Sequence, residues 1–111
     1  MKEAEERIQS QCYVWFHNTY TELRGLLCYN LNNSKNAIDG AKNKALGLQK
    51  GRSDLVFYYS GKAAMIEMKV EKGKQSEGQK EWQKKIEGQG FNYYIVRSLE
   101  DFKVLILKLL T

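Results

Sequence analysis

Residues 51–70, GRSDLVFYYSGKAAMIEMKV, constrain the fold of this chain more than any other stretch. Two runs suited to extended backbone, DLVFYY and AAMIEMKV, flank Ser60-Gly61-Lys62, so the segment predicts a β-hairpin. Alternation in the second strand sends Ala64, Ile66, Met68 and Val70 to one face and Ala63, Met65, Glu67 and Lys69 to the other. That second face begins apolar and turns charged, so its far end is expected to be open to solvent. If Ser60 and Gly61 form a two-residue turn, Tyr59 pairs with Lys62 and Asp54 stands opposite Glu67. A three-residue loop would instead oppose Asp54 to Met68.

Facing residues have Cβ atoms about 4.5–5.5 Å apart, and like charges placed there repel unless something positive lies between them. A divalent cation would meet that need. Lys69, two residues beyond Glu67 on the same face, sets an ammonium beside the carboxylates, where it can steady an attacking water or the charge developing on a phosphoryl oxygen. The competing reading is a surface charge group in which Lys69 neutralises Asp54 and Glu67 with no metal at all.

Around the hairpin there is room for one domain: the chain has 111 residues and no proline. Residues 3–23 place Ile8, Cys12, Trp15, Phe16, Thr19, Tyr20 and Leu23 on one face of a helix, and Glu5 extends that stripe at its N-terminal end. LLCYNL, residues 26–31, reads as a strand, followed by a polar loop and a short helix ending at Gly47. Ser76 stands three residues before Gln79, the capping-box spacing, and opens a helix that Gly88 and Gly90 stop, with Trp82 and Ile86 on its core face. FNYYIV, residues 91–96, is a further strand. Ser98 caps a last helix with Phe102, Leu105, Ile106 and Leu109 as its buried stripe. The predicted order is α-β-(α)-β-β-α-β-α, an α/β mixed sheet flanked by helices.

Composition narrows the chemistry. His17 is the only histidine, which argues against a conventional zinc site, and Cys12 and Cys28 read as small buried hydrophobes rather than a disulfide. Any metal is therefore expected to have oxygen ligands. No window reaches the roughly 18 consecutive apolar residues of a membrane span, and the charged start MKEAEERIQSQ does not read as a signal peptide, so an intracellular, cytoplasmic location is expected. A net charge of +5 is ordinary for solubility, but Lys69, Lys72, Lys74, Lys80, Lys84 and Lys85 fall within 17 residues. Such clustering argues for a phosphate-rich partner beside the plainer reading of a solvated face.

KGRSDLVF, then MIEMK, then KGKQSEGQKEWQKKIEGQGFNYYIVRS resemble, in order and spacing, the motifs of the VRR-NUC branch of the PD-(D/E)xK nucleases: G-x-P-D-L, I-E-x-K, G-x-x-S-x-x-Q-x-x-W, and a glycine before a closing strand. Residues 51–98 carry the resemblance closely, and the first helix and the strand after it carry it more loosely. It implies a restriction-endonuclease-like fold and a Mg²⁺- or Mn²⁺-dependent DNA endonuclease. The metal-binding acids fall on Asp54 and Glu67, the lysine on Lys69 and the helix glutamine on Gln79. The backbone carbonyl of Met68 would complete the metal's oxygen shell. The acid of the family's first helix falls on Glu5, with Glu6 in competition and the buried stripe favouring Glu5.

Where the family has a proline before the aspartate this chain has Ser53, a change expected to be tolerated because proline fixes chain direction and supplies no ligand. Tyr29, Asn30 and Asn33 lie near the family's Asn-bearing stretch, where turn formation explains the asparagines equally well. Gln79 has a second role open to it as the capping residue of its helix. Lys72, Lys74, Lys80, Lys84 and Asn33 are the expected DNA contacts. Stand-alone members resemble Holliday-junction resolvases, which implies branched DNA as substrate and a homodimer; the small size suits a phage or mobile element. A nuclease of flap, nick or duplex preference and a non-catalytic DNA-binding module of the same fold are the alternatives.

Overall fold

A computed structural model describes residues 2–31 and 36–111. Four strands, β1 (Leu27–Tyr29), β2 (Leu55–Tyr59), β3 (Lys62–Met68) and β4 (Asn92–Val96), form one sheet in the order β1-β2-β3-β4. The helices are α1 (Lys2–Thr19), α2 (Ala37–Ala45), α3 (Glu77–Gly88) and α4 (Leu99–Leu110). The first two strand pairs are antiparallel; β3 and β4 run parallel, joined by a crossover through α3, so the sheet is mixed. No helix among the described residues is long and apolar enough to cross a membrane.

The hairpin register is set locally. Ser60 and Gly61 both take positive φ, 45° and 74°, as a tight two-residue turn requires, and Tyr59 pairs with Lys62 as the spacing predicts. The pairing continues through Leu55 opposite Ile66, so the next positions outward are Asp54 and Glu67.

One face of the sheet carries Leu27, Leu55, Phe57, Ala64, Ile66, Met68 and Val96 and packs against Cys12 and Phe16 of α1 and Phe102, Leu105 and Ile106 of α4. Phe16, Phe57 and Phe102 are almost wholly enclosed, each worth about 1.5–3 kcal/mol of burial. In this layer burial, followed by the nearby charge of Asp101, pushes the Cys12 thiol up to about 12, which keeps it a protonated, inert hydrophobe. The opposite face holds a smaller cluster, Val56, Met65 and Tyr93, against which Trp82 and Ile86 of α3 pack, half-buried, on the helix face that their spacing predicts.

Some boundaries differ from expectation. The first helix stops at Thr19 and gives way to a 3₁₀ turn at Thr21–Leu23, because Tyr20 leaves helical backbone while its ring packs against Trp15 and Phe16. The first strand is shorter than residues 26–31, with Leu31 exposed beyond it. The charged end of β3 is not open: Glu67 is fully buried and Lys69 is 7% exposed. Alternation assigned these side chains a face but could not show that α3 and the loop before it fold over that face.

Candidate active site

Asp54 is placed by the strand before it in the sheet. Beyond the last paired residue of β1, the Asn30 N–H donates to the Asp54 carbonyl at 2.8 Å, and the Asn30 side chain donates to the Ser53 carbonyl at 3.1 Å. Asn30 is buried. It is thus a brace behind Asp54, where sequence reasoning gave turn formation equal weight. Ser53, in the position of the family's proline, is also buried, and its hydroxyl donates to the Leu55 carbonyl at 3.1 Å. So supported, the Asp54 carboxylate accepts the Met68 N–H through Oδ2 at 2.6 Å, spanning the end of the hairpin.

Glu67 lies on the neighbouring strand. Its Oε1 accepts hydrogen bonds from the Tyr93 hydroxyl and, at 3.3 Å, from the Gln75 side-chain amide. Its Oε2 has no hydrogen-bond partner although it is buried. Lys69 Nζ lies 3.8 Å from Oε2 and 4.0 Å from Glu5 Oε2, within ion-pair reach but beyond a hydrogen bond. Burial above all, with the bonded carboxylate adding to it, pushes the Tyr93 hydroxyl far above its ordinary range, so it stays protonated and donates.

Of the expected site residues, Asp54 is bonded to the backbone N–H of Met68, and Lys69 lies within ion-pair reach of both Glu67 and Glu5. Glu5 reaches this group from the first turns of α1, whereas Glu6 faces solvent. Gln79 is engaged elsewhere. Its Oε1 accepts the Ser76 N–H at 2.8 Å while its own N–H donates to Ser76 Oγ at 3.2 Å, a complete capping box, and the glutamine that touches Glu67 is Gln75. Lys72, Lys74, Lys80 and Lys84 are all exposed, the first two on the loop after β3 and the others one turn apart on α3. Asn33 lies outside the described residues.

Gln75, Tyr93 and Arg97 escaped sequence reasoning. Arg97 Nη1 donates to the carbonyls of Val70, Glu71 and Gly73 at 2.7, 3.1 and 2.9 Å, fastening the loop that carries Lys72, Lys74 and Gln75. Its partners lie 24–27 residues away, so no local pattern marks it. Capping-box spacing did signal Gln79's role, and the tyrosine-rich strand offered a buried hydroxyl without saying which tyrosine faces Glu67.

The donor set suits a hard divalent cation. A buried carboxylate oxygen on Glu67 that accepts no hydrogen bond, with the Asp54 carboxylate at the start of the adjacent strand, offers oxygen ligands only. Among the described residues no three Asp, Glu, His or Cys side chains converge into a cage. Asp54 and Glu67 are the residues that could hold such an ion; Mg²⁺ in particular binds through one or two carboxylates while keeping several waters.

Comparison with known proteins agrees with this architecture. No curated protein matches the sequence. A solved structure described as a VRR-NUC domain protein superposes with a TM-score of 0.76 at 17% identity, covering 95% of this chain and 86% of that one. Another, described as a VRR-NUC domain, gives 0.61 at 22% identity, covering 93% and 94%. These likenesses establish a shared fold, that of restriction-endonuclease-like α/β domains. The sequence model of the VRR-NUC domain matches residues 3–100, and the chain belongs to the VRR-NUC family.

Proposed function

We propose that this protein is a divalent-cation-dependent endonuclease that hydrolyses phosphodiester bonds in branched DNA, such as four-way junctions. Membership in the family gives a nuclease-type, DNA-processing function. Support for metal dependence comes from one observation above the rest: Glu67 keeps a buried carboxylate oxygen without a hydrogen-bond donor, beside Lys69 and next to the strand that carries Asp54. Evolution of a purely structural ion pair would be expected to satisfy that oxygen, because a buried polar atom without a hydrogen bond is costly.

Asp54, Glu67 and the carbonyl of Met68 would hold Mg²⁺ or Mn²⁺, with Glu5 supporting Lys69 from α1. When bound, the cation supplies Lewis-acid polarisation of the scissile phosphate. Lys69, held between Glu67 and Glu5, orients the attacking water and meets charge developing on a non-bridging oxygen. Gln79 fixes the start of α3, whose first-turn N–H groups and positive dipole end favour a phosphate. Lys72, Lys74, Lys80 and Lys84 contact the DNA backbone, which makes binding salt-sensitive without reading sequence.

The test compares a four-way junction, a flap and a linear duplex, each incubated with Mg²⁺, Mn²⁺ or chelator, using wild type and Glu67→Ala. Wild type is expected to cut the junction fastest and only with metal, and Glu67→Ala to cut at least roughly 10²-fold more slowly. Equal cutting by both proteins refutes the site. Faster cutting of flap or duplex moves the substrate assignment, and salt-sensitive binding with no cutting identifies a non-catalytic module.

Symmetric incision of a junction requires two active sites, so we assign the working form as a homodimer. Val104 and Leu107, one turn apart on α4 and 67% and 60% exposed, supply apolar surface for the contact. Gel filtration at micromolar concentration is expected to show a dimer. A monomer with undiminished junction cleavage excludes it.

A further inference from the structure

Glu67 is oriented by two side chains from different elements. Tyr93, from β4, and Gln75, from the loop after β3, both donate to Oε1. The Gln75 amide also donates to Gln83 Oε1 on α3 at 2.9 Å, and Gln83 donates onward to Glu87 Oε2 at 3.3 Å. This amide is therefore braced on both sides. Arg97, through its three bonds to carbonyls of the same loop, fixes the backbone from which Gln75 projects.

The terminal torsion of a glutamate is broad and nearly two-fold, so an unrestrained carboxylate exchanges its oxygens freely. Two donors on Oε1 remove that freedom. They leave Oε2 as the oxygen that faces Lys69 without a hydrogen-bond donor of its own. Groups of this kind, which hold a ligand's remote atom, commonly contribute 10–100-fold to metal affinity.

We propose that Tyr93 and Gln75 are positioning residues that hold Oε1 of Glu67 and so present Oε2 to the divalent cation, an inference that rests on the nuclease reading above. They touch neither the DNA nor the reacting phosphate. Their effect is on how tightly the cation binds, and it precedes substrate.

Mn²⁺ binding to DNA-free protein, followed by the electron paramagnetic resonance signal of free Mn²⁺, tests this in wild type, Tyr93→Phe and Gln75→Leu. Each variant is expected to bind Mn²⁺ roughly 10-fold more weakly or worse. Cleavage by each should fall at limiting Mn²⁺ and return toward the wild-type kcat at saturating Mn²⁺, with the KM for DNA unchanged. Gln75 sits on a loop, half-buried, so Gln75→Leu decides the matter if Tyr93→Phe fails to fold. Folded variants that bind Mn²⁺ as tightly as wild type overturn the inference alone. A wild-type protein that binds no Mn²⁺ overturns the metal reading and the inference together.

Discussion

Lys69→Met is expected to cost the fold about 3–5 kcal/mol and to slow DNA cleavage by roughly 10²-fold or more. The first effect follows from burial. Glu67 is fully enclosed, one of its oxygens has no hydrogen bond, and the Lys69 ammonium 3.8 Å away is its ion-pair partner. Methionine keeps much of the lysine's volume and stem packing but leaves the carboxylate without that positive charge. Breaking a buried pair from one side is far more damaging than removing both partners. The double variant Lys69→Met, Glu67→Gln should therefore regain part of the lost stability, and none of the cleavage. Urea denaturation of the four proteins in the cycle gives the coupling energy, and a junction-cleavage assay gives the rate. A single variant as stable as wild type would show that Glu67 does not depend on Lys69. Restored cleavage in the double variant would remove both from the chemistry.

Gly51→Ala should destabilise the protein by roughly 2 kcal/mol or more, a fall in melting temperature on the order of 10 °C. Two causes act together. Gly51 has φ +82°, a conformation that side chains with a Cβ rarely adopt, and an added Cβ would stand 2.5 Å from the Gly78 carbonyl oxygen. That oxygen is backbone in the first turn of α3, so relief requires moving the helix start or the segment that leads into Asp54. Gly47→Ala separates the causes. Its φ is +101° but nothing lies within 4 Å of the added atom, so it carries the backbone strain without the overlap. Thermal melts are expected to rank wild type above Gly47→Ala above Gly51→Ala. Cleavage should fall in Gly51→Ala and persist in Gly47→Ala. Equal melting temperatures for the two variants would mean that the approach to Gly78 constrains nothing.

These two residues also show how differently parts of the site were legible. Lys69 was readable because period-two alternation and a two-residue turn are local properties: once Ser60 and Gly61 turn the chain, Tyr59 must meet Lys62 and the register runs outward to Asp54 and Glu67. Helical periodicity similarly favoured Glu5, on the stripe with Ile8 and Cys12, over Glu6. Gly51 was visible as a motif glycine, but its reason, a helix start packed against its Cα, was not.

Gln79 illustrates one spacing with two meanings. Its three-residue separation from Ser76 fits both a nuclease motif and a capping box, and the cap occupies its side-chain oxygen. Gln75, four residues earlier and outside the spacing rule, occupies the position beside Glu67. Asn30 was ambiguous for a related reason: asparagine serves turns and braces alike, and only burial beside the Ser53 and Asp54 carbonyls distinguishes them.

The sequence by itself determined the hairpin and its register, the α/β order of elements, the helix caps at Ser76 and Ser98, and the pairing of Glu67 with Lys69 on one face, since each depends on interactions a few residues apart or on strand alternation. Tertiary structure alone decided that the charged end of β3 is enclosed and that Gln75 and Tyr93 bond one oxygen of Glu67, leaving the other without a donor. It also decided that Arg97 ties down the loop that leads into Gln75. Those contacts join segments 8–27 residues apart, through strand pairing and loop packing that no local pattern encodes.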